Sequence, residues 1–368
     1  MTSHEAPLRI EMLPARHGDA VLVSWPGEDD RTHWLLVDGG PAIGYDAVSR
    51  RLAELARAGQ RLDLLVLSHV DGDHVEGVIL AVNDAAVALG VDEVWYNGYR
   101  QLTDELGAVQ GEILGALIKQ RGLSWNARFG GHAVCRPADG PPPVRELPGG
   151  LRVSVLAPTT TALLSLRDEW ERACRDAGLA AGSVEAALVK LRNRPELKPA
   201  DAYLGAEGRL DIDELARGRI GVDRSAANAS SIVLLLEFGG HTALLTADIT
   251  PAQLAAGVRA QLAATGAERL PVDVLKVPHH GSAKNISADL VRLIPARQYL
   301  ISTDGSYHGH PHRSAVATII RYAPPGAELV FNYPDPGDVW DDDSTTNPDF
   351  TYTVRRPPAG GAGLTVAL

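Results

Sequence analysis

The segment SHVDGDH, residues 68–74, constrains this chain more than any other feature, because it places four metal-ligating side chains within six residues. Its first two residues are also the last two of the apolar run Leu62–His69. Such a run is typical of a buried strand. Imidazole nitrogen and carboxylate oxygen together suit Zn²⁺, Mn²⁺ or Fe²⁺, and Gly72 allows the backbone to bend. The alternative is a polar loop whose aspartates cap a helix that starts near Val75. The candidate ligands are His69, Asp71, Asp73 and His74.

Further polar clusters follow apolar runs in the second half of the chain. Asp248 ends HTALLTAD, the segment HHGS at residues 279–282 follows VDVLKVP, and YHGHPH at residues 307–312 follows a run that ends near Ser302. Seven of the 12 histidines lie in SHVDGDH, HHGS and YHGHPH. Lone histidines in loops are usually solvated, whereas clusters at several strand ends indicate a common metal site. The alternative for Asp248 is a cap on the helix that follows it.

Strand-like and helix-like segments alternate along the chain and predict an α/β fold. Short strands over residues 8–13, 20–25 and 34–37 precede a helix over 45–58, and the apolar run is followed by a helix over 75–89. A Pro/Gly-rich stretch, residues 137–150, separates this half from a second β-rich half, and residues 159–227 form a mainly helical insertion in it. Two sets of strands with their helices predict an αββα sandwich, built as a single domain over residues 1–368.

The formal net charge of −11 argues against an extended nucleic-acid-binding groove, because the neutralisation of phosphates needs clustered Lys and Arg. A metal cluster would still supply local positive charge. The sequence has no apolar run of transmembrane length and no signal-peptide pattern at its start. Its two cysteines, Cys135 and Cys174, give no disulfide framework. We therefore expect a cytoplasmic protein with no membrane contact.

Taken together, these motifs resemble those of the metallo-β-lactamase superfamily and, within it, the hydrolase domain of the ComEC competence family and its free-standing soluble relatives. The matching stretches are HGDAVLV, LLVDGG, SHVDGDHVEG, NASSIVLLLEFGGHTALLTAD, VLKVPHHGS and YHGHPH. They occur in the family's order over about residues 8–321. The resemblance implies the metallo-β-lactamase fold and a metal-dependent hydrolase, and the ComEC-type branch is associated with the degradation of DNA.

The resemblance also assigns the first ligands. His69 and Asp71 would serve one metal position, and Asp73 and His74 the other. Asp71 replaces the second histidine of the usual H-x-H-x-D-H motif, as it does in the ComEC-type branch. Asp38, with Gly39 and Gly40, is expected to make a structural turn that supports the ligands.

In the second half, the resemblance makes Asp248 the carboxylate that bridges both metals. The HHGS segment supplies the last histidine, for which we favour His279 over His280 by its distance from Gly281. Asn228, Ser230 and Ser231 lie where most of the superfamily has another histidine, so one metal position is poorer in nitrogen ligands. We therefore expect one or two divalent ions, with Mn²⁺ or Mg²⁺ favoured over Zn²⁺.

The expected activity is phosphodiester hydrolysis of nucleic acid, DNase-like, through a metal-activated water. Asp73 would hold the water and accept its proton. Candidates for catalysis or for positioning an anionic substrate are Lys276, His310, Ser282 and the Asn228–Ser231 loop. The alternatives are a phosphodiesterase for small cyclic or signalling nucleotides and a non-catalytic binding subunit on the same scaffold. Since the chain is acidic, a protein partner that delivers the nucleic acid is also expected.

Overall fold

Two β-sheets pack face to face in the computed structural model, with helices on their outer faces. The structure describes residues 8–84, 87–98, 109–167, 210–218, 221–334, 336, 339–340 and 350–368. Within these residues the strands form a six-stranded sheet, an eight-stranded sheet and a separate pair. This arrangement confirms the predicted αββα sandwich.

The six-stranded sheet, called the N-terminal sheet, has the strand order β16-β1-β2-β3-β5-β7. Strands β1, β2 and β3 pair in antiparallel fashion, and β5 and β7 continue the sheet in parallel. The end of the chain returns as β16 beside β1, which the sequence did not predict. The strands are β1 (Arg9–Met12), β2 (Val21–Pro26), β3 (Thr32–Val37), β5 (Leu64–Val66), β7 (Val94–Trp95) and β16 (Leu364–Ala367), and β4 (Arg61–Leu62) pairs with β6 (Gly90–Val91) beside it.

The eight-stranded sheet, called the C-terminal sheet, has the order β15-β14-β13-β12-β11-β10-β9-β8. Strands β11 to β15 are parallel to one another, whereas β8, β9, β10 and β11 pair in antiparallel fashion. Its strands are β8 (Val144–Glu146), β9 (Arg152–Ala157), β10 (Val233–Phe238), β11 (His241–Leu245), β12 (Val272–Lys276), β13 (Ala296–Ile301), β14 (Ala327–Phe331) and β15 (Tyr352–Arg355).

Three apolar cores hold these layers together. One core lies between the sheets and draws alternate side chains from both of them, as Ile10 and Leu234 illustrate. The other two lie between each sheet and its helices. The helices are α1 (Tyr45–Arg57), α2 (Gly72–Asn83) and α3 (Val109–Gln120) in the first half, and α4 (Ile212–Arg217), α5 (Ala226–Ala229), α6 (Pro251–Thr265), α7 (Ala288–Leu293) and α8 (Arg313–Tyr322) in the second.

The start of α2 differs from the sequence prediction. The helix begins at Gly72, not near Val75, so Asp73 and His74 lie in its first turn. Asp71 occupies the N-cap position, but its side chain makes no capping hydrogen bond. Helix capping, the alternative role of the aspartates in SHVDGDH, therefore does not explain the Asp71 carboxylate. This carboxylate can still act as a metal ligand.

Most of the predicted insertion, residues 168–209 and 219–220, lies outside the described residues. In its described part, residues 160–167 are helical and α4 packs against α8 in the outer layer, where Ile212 is fully buried. Among the described residues, no helix combines the length and the apolar character needed to cross a bilayer.

Candidate metal centre

The polar clusters meet at one edge of the sandwich because each follows a strand of the parallel part of a sheet. Residues 68–74 follow β5 in the N-terminal sheet, while Asp248, the HHGS segment and YHGHPH follow β11, β12 and β13 in the C-terminal sheet. The carboxyl ends of parallel strands lie at the same edge, which is where α/β folds commonly bind ligands. Residues some 200 positions apart in the chain thus share one site.

The tightest cluster comprises His74, His280, Asp73 and Asp248, which we call the inner site. His74 Nε2 lies 3.3 Å from Asp248 Oδ1 and 3.9 Å from Asp73 Oδ2. His280 Nε2 lies 3.5 Å from Asp248 Oδ1 and 3.4 Å from Asp73 Oδ2. Ligand atoms at about 2.0–2.1 Å from a tetrahedral Zn²⁺ lie about 3.3 Å apart, so these separations suit one such ion.

Unpartnered atoms at this cluster support the same interpretation. His74 Nε2, His280 Nε2 and Asp248 Oδ1 are buried, and apart from the ion-pair contacts of 3.3–3.5 Å among themselves none of them has a hydrogen-bond partner. His69 Nε2, next to this cluster, is likewise buried without a hydrogen-bond partner. A buried polar atom without a partner costs free energy, and this cost is avoided when the atom coordinates an ion. Two imidazoles and two carboxylates are a ligand set that Zn²⁺, Mn²⁺ and Fe²⁺ accept, so the residues fit a divalent metal.

Each of the two inner-site imidazoles has a hydrogen-bond partner at Nδ1, on the side of the ring away from the centre. His74 Nδ1 lies 2.8 Å from Asp38 Oδ2, and Asp38 also accepts hydrogen bonds from the backbone N–H and the hydroxyl of Ser68. His280 Nδ1 lies 2.9 Å from the carbonyl oxygen of Ser302. Because Nδ1 is engaged in each ring, Nε2 is left facing the centre, which is the usual support of a histidine ligand. Asp38 has the supporting contacts that its turn was expected to make.

Asp19 is a further buried acid at the inner site. It offers a ligand atom within 4.8 Å of those of His74, Asp248 and His280. However, its Oδ2 lies 2.6 Å from Lys276 Nζ, and its Oδ1 lies 3.4 Å from the Nδ1 side of the His280 ring. Asp19 therefore pairs with Lys276 and contacts His280, and its buried Oδ1, which has no hydrogen-bond partner, is also placed to join the inner-site ligands. Sequence reasoning quoted this residue in HGDAVLV but gave it no role at the site.

Lys276, predicted to position substrate or act in catalysis, has a different environment. Its side chain is 1% exposed and its ammonium group contacts Asp19 and the carbonyl oxygen of Val277. In this position Lys276 neutralises the acid that supports His280, and it reaches the centre only through those residues.

The three remaining candidate ligands, His69, Asp71 and His279, lie next to the inner site, and we refer to them together as the outer site. His69 Nε2 lies 3.6 Å from Asp71 Oδ2, and the rings of His69 and His74 lie 4.2 Å apart between centroids. His279 Nε2 lies 3.5 Å from Asp248 Oδ2, the oxygen opposite the one that faces the inner site. The Asp248 carboxylate thus presents one oxygen to each group. The Asp71 side chain is 44% exposed, unlike any inner-site ligand.

The favoured histidine of HHGS, His279, is therefore placed in the outer site, and His280 takes the place beside His74. Both residues have positive φ, 48° and 53°, and their rings are nearly perpendicular. This turn lets two consecutive side chains face the same centre. The geometry favours His280 as the inner ligand, with His279 on the other oxygen of Asp248.

Asp223 is a site residue that sequence reasoning missed, because it falls in the predicted insertion. Its Oδ2 accepts hydrogen bonds from the amides of Asn228 and Asn285, at 2.7 and 2.8 Å, and lies 3.5 Å from His279 Nδ1. It holds His279 much as Asp38 holds His74. Only its position five residues before Asn228 could have drawn attention to it.

Charges at the inner site act strongly on one another. Burial raises the pKa of Asp248, but the attraction of His280, His74 and His279 outweighs it, so the pKa lies well below its ordinary value. Burial lowers the pKa of His280, yet Asp248 and Asp19 raise it to about 10. Without an ion the cluster therefore holds protonated imidazoles against ionised carboxylates, and cation binding must displace those protons.

His310 has the opposite electrostatic environment. Burial, and then repulsion from His280 and His279, lower its pKa to about 2, so the ring is neutral. It packs against His279 at 5.1 Å between ring centroids, in an edge-on arrangement. A neutral imidazole beside the outer site can donate or accept a hydrogen bond.

The remaining predicted substrate contacts lie close to the centre but are largely buried. Ser282 is at the end of the HHGS turn, where its backbone N–H donates to the carbonyl oxygen of His279. The Asn228 amide bonds to Asp223, and its Oδ1 is buried without a partner, as is the Ser231 hydroxyl. Ser230 donates its hydroxyl hydrogen to the carbonyl oxygen of Ala227. The substrate-binding role of these residues stays a prediction.

Comparison with known families gives one match. Residues 13–161 match the model of the metallo-beta-lactamase superfamily, which supports the broader part of the resemblance and covers β2 to β9 with the SHVDGDH segment. No curated protein sequence matches the chain. The finer resemblance to ComEC-type hydrolases has no counterpart among these matches and stays a prediction.

Three solved structures that are similar to the chain are distant from it in sequence. Zn²⁺-bound PqqB from Methylobacterium extorquens is 12% identical, with a TM-score of 0.41 over 98% of this chain and 100% of that one. CmlA, a diiron β-hydroxylase from Streptomyces venezuelae, is 12% identical, with a TM-score of 0.39 over 98% and 54%. A β-lactamase domain protein from Burkholderia ambifaria is 15% identical, with a TM-score of 0.23 over 41% and 46%.

Proposed function

We propose that this protein is a metal-dependent phosphodiesterase that hydrolyses nucleic acid, with DNA as the first candidate. The observation that carries the proposal is the set of buried, unpartnered ligand atoms at the inner site, where His74, His280 and Asp248 converge. Such a set is expensive to bury without an ion and is typical of a metal-dependent hydrolase. The choice of a phosphodiester rests on the motifs of the second half of the chain.

A divalent ion held at the inner site supplies a Lewis acid and lowers the pKa of water. Asp73 has the position to act on that water, because its Oδ2 faces His280 and its side chain is partly exposed. Burial raises the pKa of Asp73, but the attraction of His74 and the contacts of His280 outweigh this effect, so the pKa lies below its ordinary value. The carboxylate therefore stays ionised and can accept a hydrogen bond or a proton.

His310 is suited to contact the phosphoryl group or the leaving group of the substrate. Its neutral imidazole lies beside His279 and Asp248, where it can hydrogen-bond to a phosphoryl oxygen or a leaving group without adding charge. We propose it as a positioning residue. Lys276 acts at a distance, since it neutralises Asp19, which in turn holds His280.

One observation favours the second candidate, a phosphodiesterase for small nucleotides. The chain carries a formal charge of −11, which repels a long polyanion but matters little for a short substrate held by an ion and a few donors. A nucleic-acid substrate would then need a partner protein that delivers it. Both candidates use the same site, and the substrate panel below separates them.

The test uses protein stripped of metal by a chelator and reloaded with Mn²⁺, Mg²⁺ or Zn²⁺. Linear DNA, circular DNA, RNA and bis-p-nitrophenyl phosphate are the substrates, and the double variant Asp73→Ala/His74→Ala is compared with His132→Ala, which changes an exposed histidine outside the centre. Metal-dependent cutting of DNA that only the double variant loses would support the proposal. Cleavage of the small ester alone would favour the small-nucleotide enzyme, and no activity with any metal would favour a binding subunit.

A further inference from the structure

Three aromatic rings contact one another next to the metal centre, with tilts of 35° and 57° between neighbouring rings. The Tyr307 ring lies 4.9 Å from that of His17 and 4.0 Å from that of His308, between centroids. We call these three residues the aromatic surface. Tyr307 is 44% exposed, so part of its ring is accessible to a ligand. It belongs to none of the three apolar cores.

The aromatic surface adjoins the metal centre on both of its sides. On one side, the loop that carries His17 touches the SHVDGDH segment, because the backbone N–H of Asp19 donates to the carbonyl oxygen of Asp73 at 3.3 Å. Gly18 approaches that oxygen so closely that a Cβ at this position would lie 2.0 Å from it. On the other side, the His308 ring lies 5.9 Å from that of His310, which packs against His279.

Several bonds fix the two loops of the aromatic surface to each other. The backbone N–H of Asp304 donates to the carbonyl oxygen of Arg16, and the Arg16 guanidinium pairs with the Asp304 carboxylate at 3.3 Å. The Ser302 hydroxyl donates to the carbonyl oxygen of Gly18 at 3.2 Å. The backbones that carry the rings are therefore fixed relative to each other before any ligand arrives, which lowers the entropic cost of binding.

We propose that the aromatic surface is a base-stacking subsite, which holds a nucleobase next to the phosphodiester that the inner site hydrolyses. Bases stack on aromatic side chains through their π faces, independently of sequence, and the contact needs no positive charge. This explains how an acidic protein can bind a nucleotide close to its metal centre. The inference rests on the proposed phosphodiesterase function and assigns its substrate class, a phosphodiester that carries a nucleobase.

The first test is a binding measurement that needs no turnover. Equilibrium dialysis of Mn²⁺-loaded protein compares thymidine 5′-monophosphate with deoxyribose 5-phosphate, which has the same phosphate and sugar but no base. We expect the nucleotide to bind more tightly by about 5- to 150-fold, the range typical of one stacked base. Tyr307→Ala should remove that preference, Tyr307→Phe should keep it, and Val144→Ala, at an exposed apolar side chain of β8, should leave it unchanged.

The second test measures turnover with two esters of the same leaving group, the p-nitrophenyl ester of thymidine 5′-phosphate and methyl p-nitrophenyl phosphate. Tyr307→Ala should lower kcat/KM for the first ester and leave that for the second unchanged. Equal losses on both esters, or equal binding of the nucleotide and the sugar phosphate by the unaltered protein, would overturn the inference. If the base preference in binding is present and depends on Tyr307 but neither ester is cleaved, the subsite stands and the phosphodiesterase proposal fails.

Discussion

The inner and outer sites share the Asp248 carboxylate, yet they differ in burial and in support. The inner imidazoles are fully enclosed, and each is held at Nδ1 by a short contact, of 2.8 Å for His74 and 2.9 Å for His280. In the outer site His69 is enclosed and its Nδ1 lies 3.0 Å from the Ser68 hydroxyl, but the Asp71 side chain is 44% exposed. The contact between His279 Nδ1 and Asp223 is longer, at 3.5 Å. If both groups of residues bind an ion, these differences predict that the two ions are held with unequal strength.

We therefore expect an asymmetric centre, in which the inner site binds its ion tightly and the outer site binds one weakly. Preorganised ligands lose little conformational freedom on binding, and burial shields them from competing water.

The largest change in stability is expected from the buried ion pair of Asp19 and Lys276, which contacts His280 through Asp19. Lys276→Met removes the cation and leaves the Asp19 carboxylate as an unpaired buried charge, which typically costs about 3–5 kcal/mol of unfolding free energy. The double variant Asp19→Asn/Lys276→Met should recover most of that loss, because both charges are gone. Urea unfolding of the metal-free proteins, followed by circular dichroism, measures both. A loss below about 1 kcal/mol in the single variant would show that the pair does not support the inner site.

The next effect separates the two histidines of HHGS. His280→Ala removes an inner-site ligand and should lower the affinity for the tightly held ion by more than about 100-fold. Changes to residues that only support a ligand typically lower metal affinity by about 10- to 100-fold. His279→Ala should leave that ion within a few-fold and affect only the weaker one. Competition with a chromophoric chelator, together with the metal content after dialysis, gives both affinities. The reverse order of effects would assign the inner ligand to His279.

The smallest effect comes from the same change at two matched carboxylates. Asp38→Asn weakens the support of His74 Nδ1 and should lower the affinity of the tight ion by about 10- to 100-fold. Asp223→Asn alters the support of His279 and should leave the tight ion unaffected while it weakens the second one. The same chelator competition reports both, with His132→Ala as the control. Equal losses in the two variants would mean that the two sites are not distinct.

Much of this centre could be predicted from the sequence, because its ligands are concentrated in short segments at the ends of apolar strands. SHVDGDH, Asp248 and HHGS are separated by up to about 200 residues, yet the rule that the ends of parallel strands share an edge brought them together. The αββα layers followed from the alternation of strand and helix patterns in the two halves of the chain.

The remainder depended on geometry that a linear pattern does not contain. The linear motif does not distinguish His279 from His280. Both residues have positive φ, which turns both rings towards the centre, and only the structure shows which ring reaches the inner site. Lys276 was predicted to meet substrate because of its charge, but strand β12 directs it into the interior, against Asp19. Asp223 was missed because nothing in its local sequence distinguishes it, and its role appears only when α5 lies beside the HHGS turn.

The division of the ligands between the two sheets also determines when the centre can form during synthesis. His69, Asp71, Asp73 and His74 are made early, but the inner site needs Asp248 and His280, about 200 residues later in the chain. At about 5–20 residues per second, a ribosome takes about 10–40 s to cover that interval. The nascent N-terminal half therefore carries only part of the ligand set. The full set of inner-site ligands is available only after the chain has been synthesised as far as His280, so the N-terminal half alone cannot complete the centre.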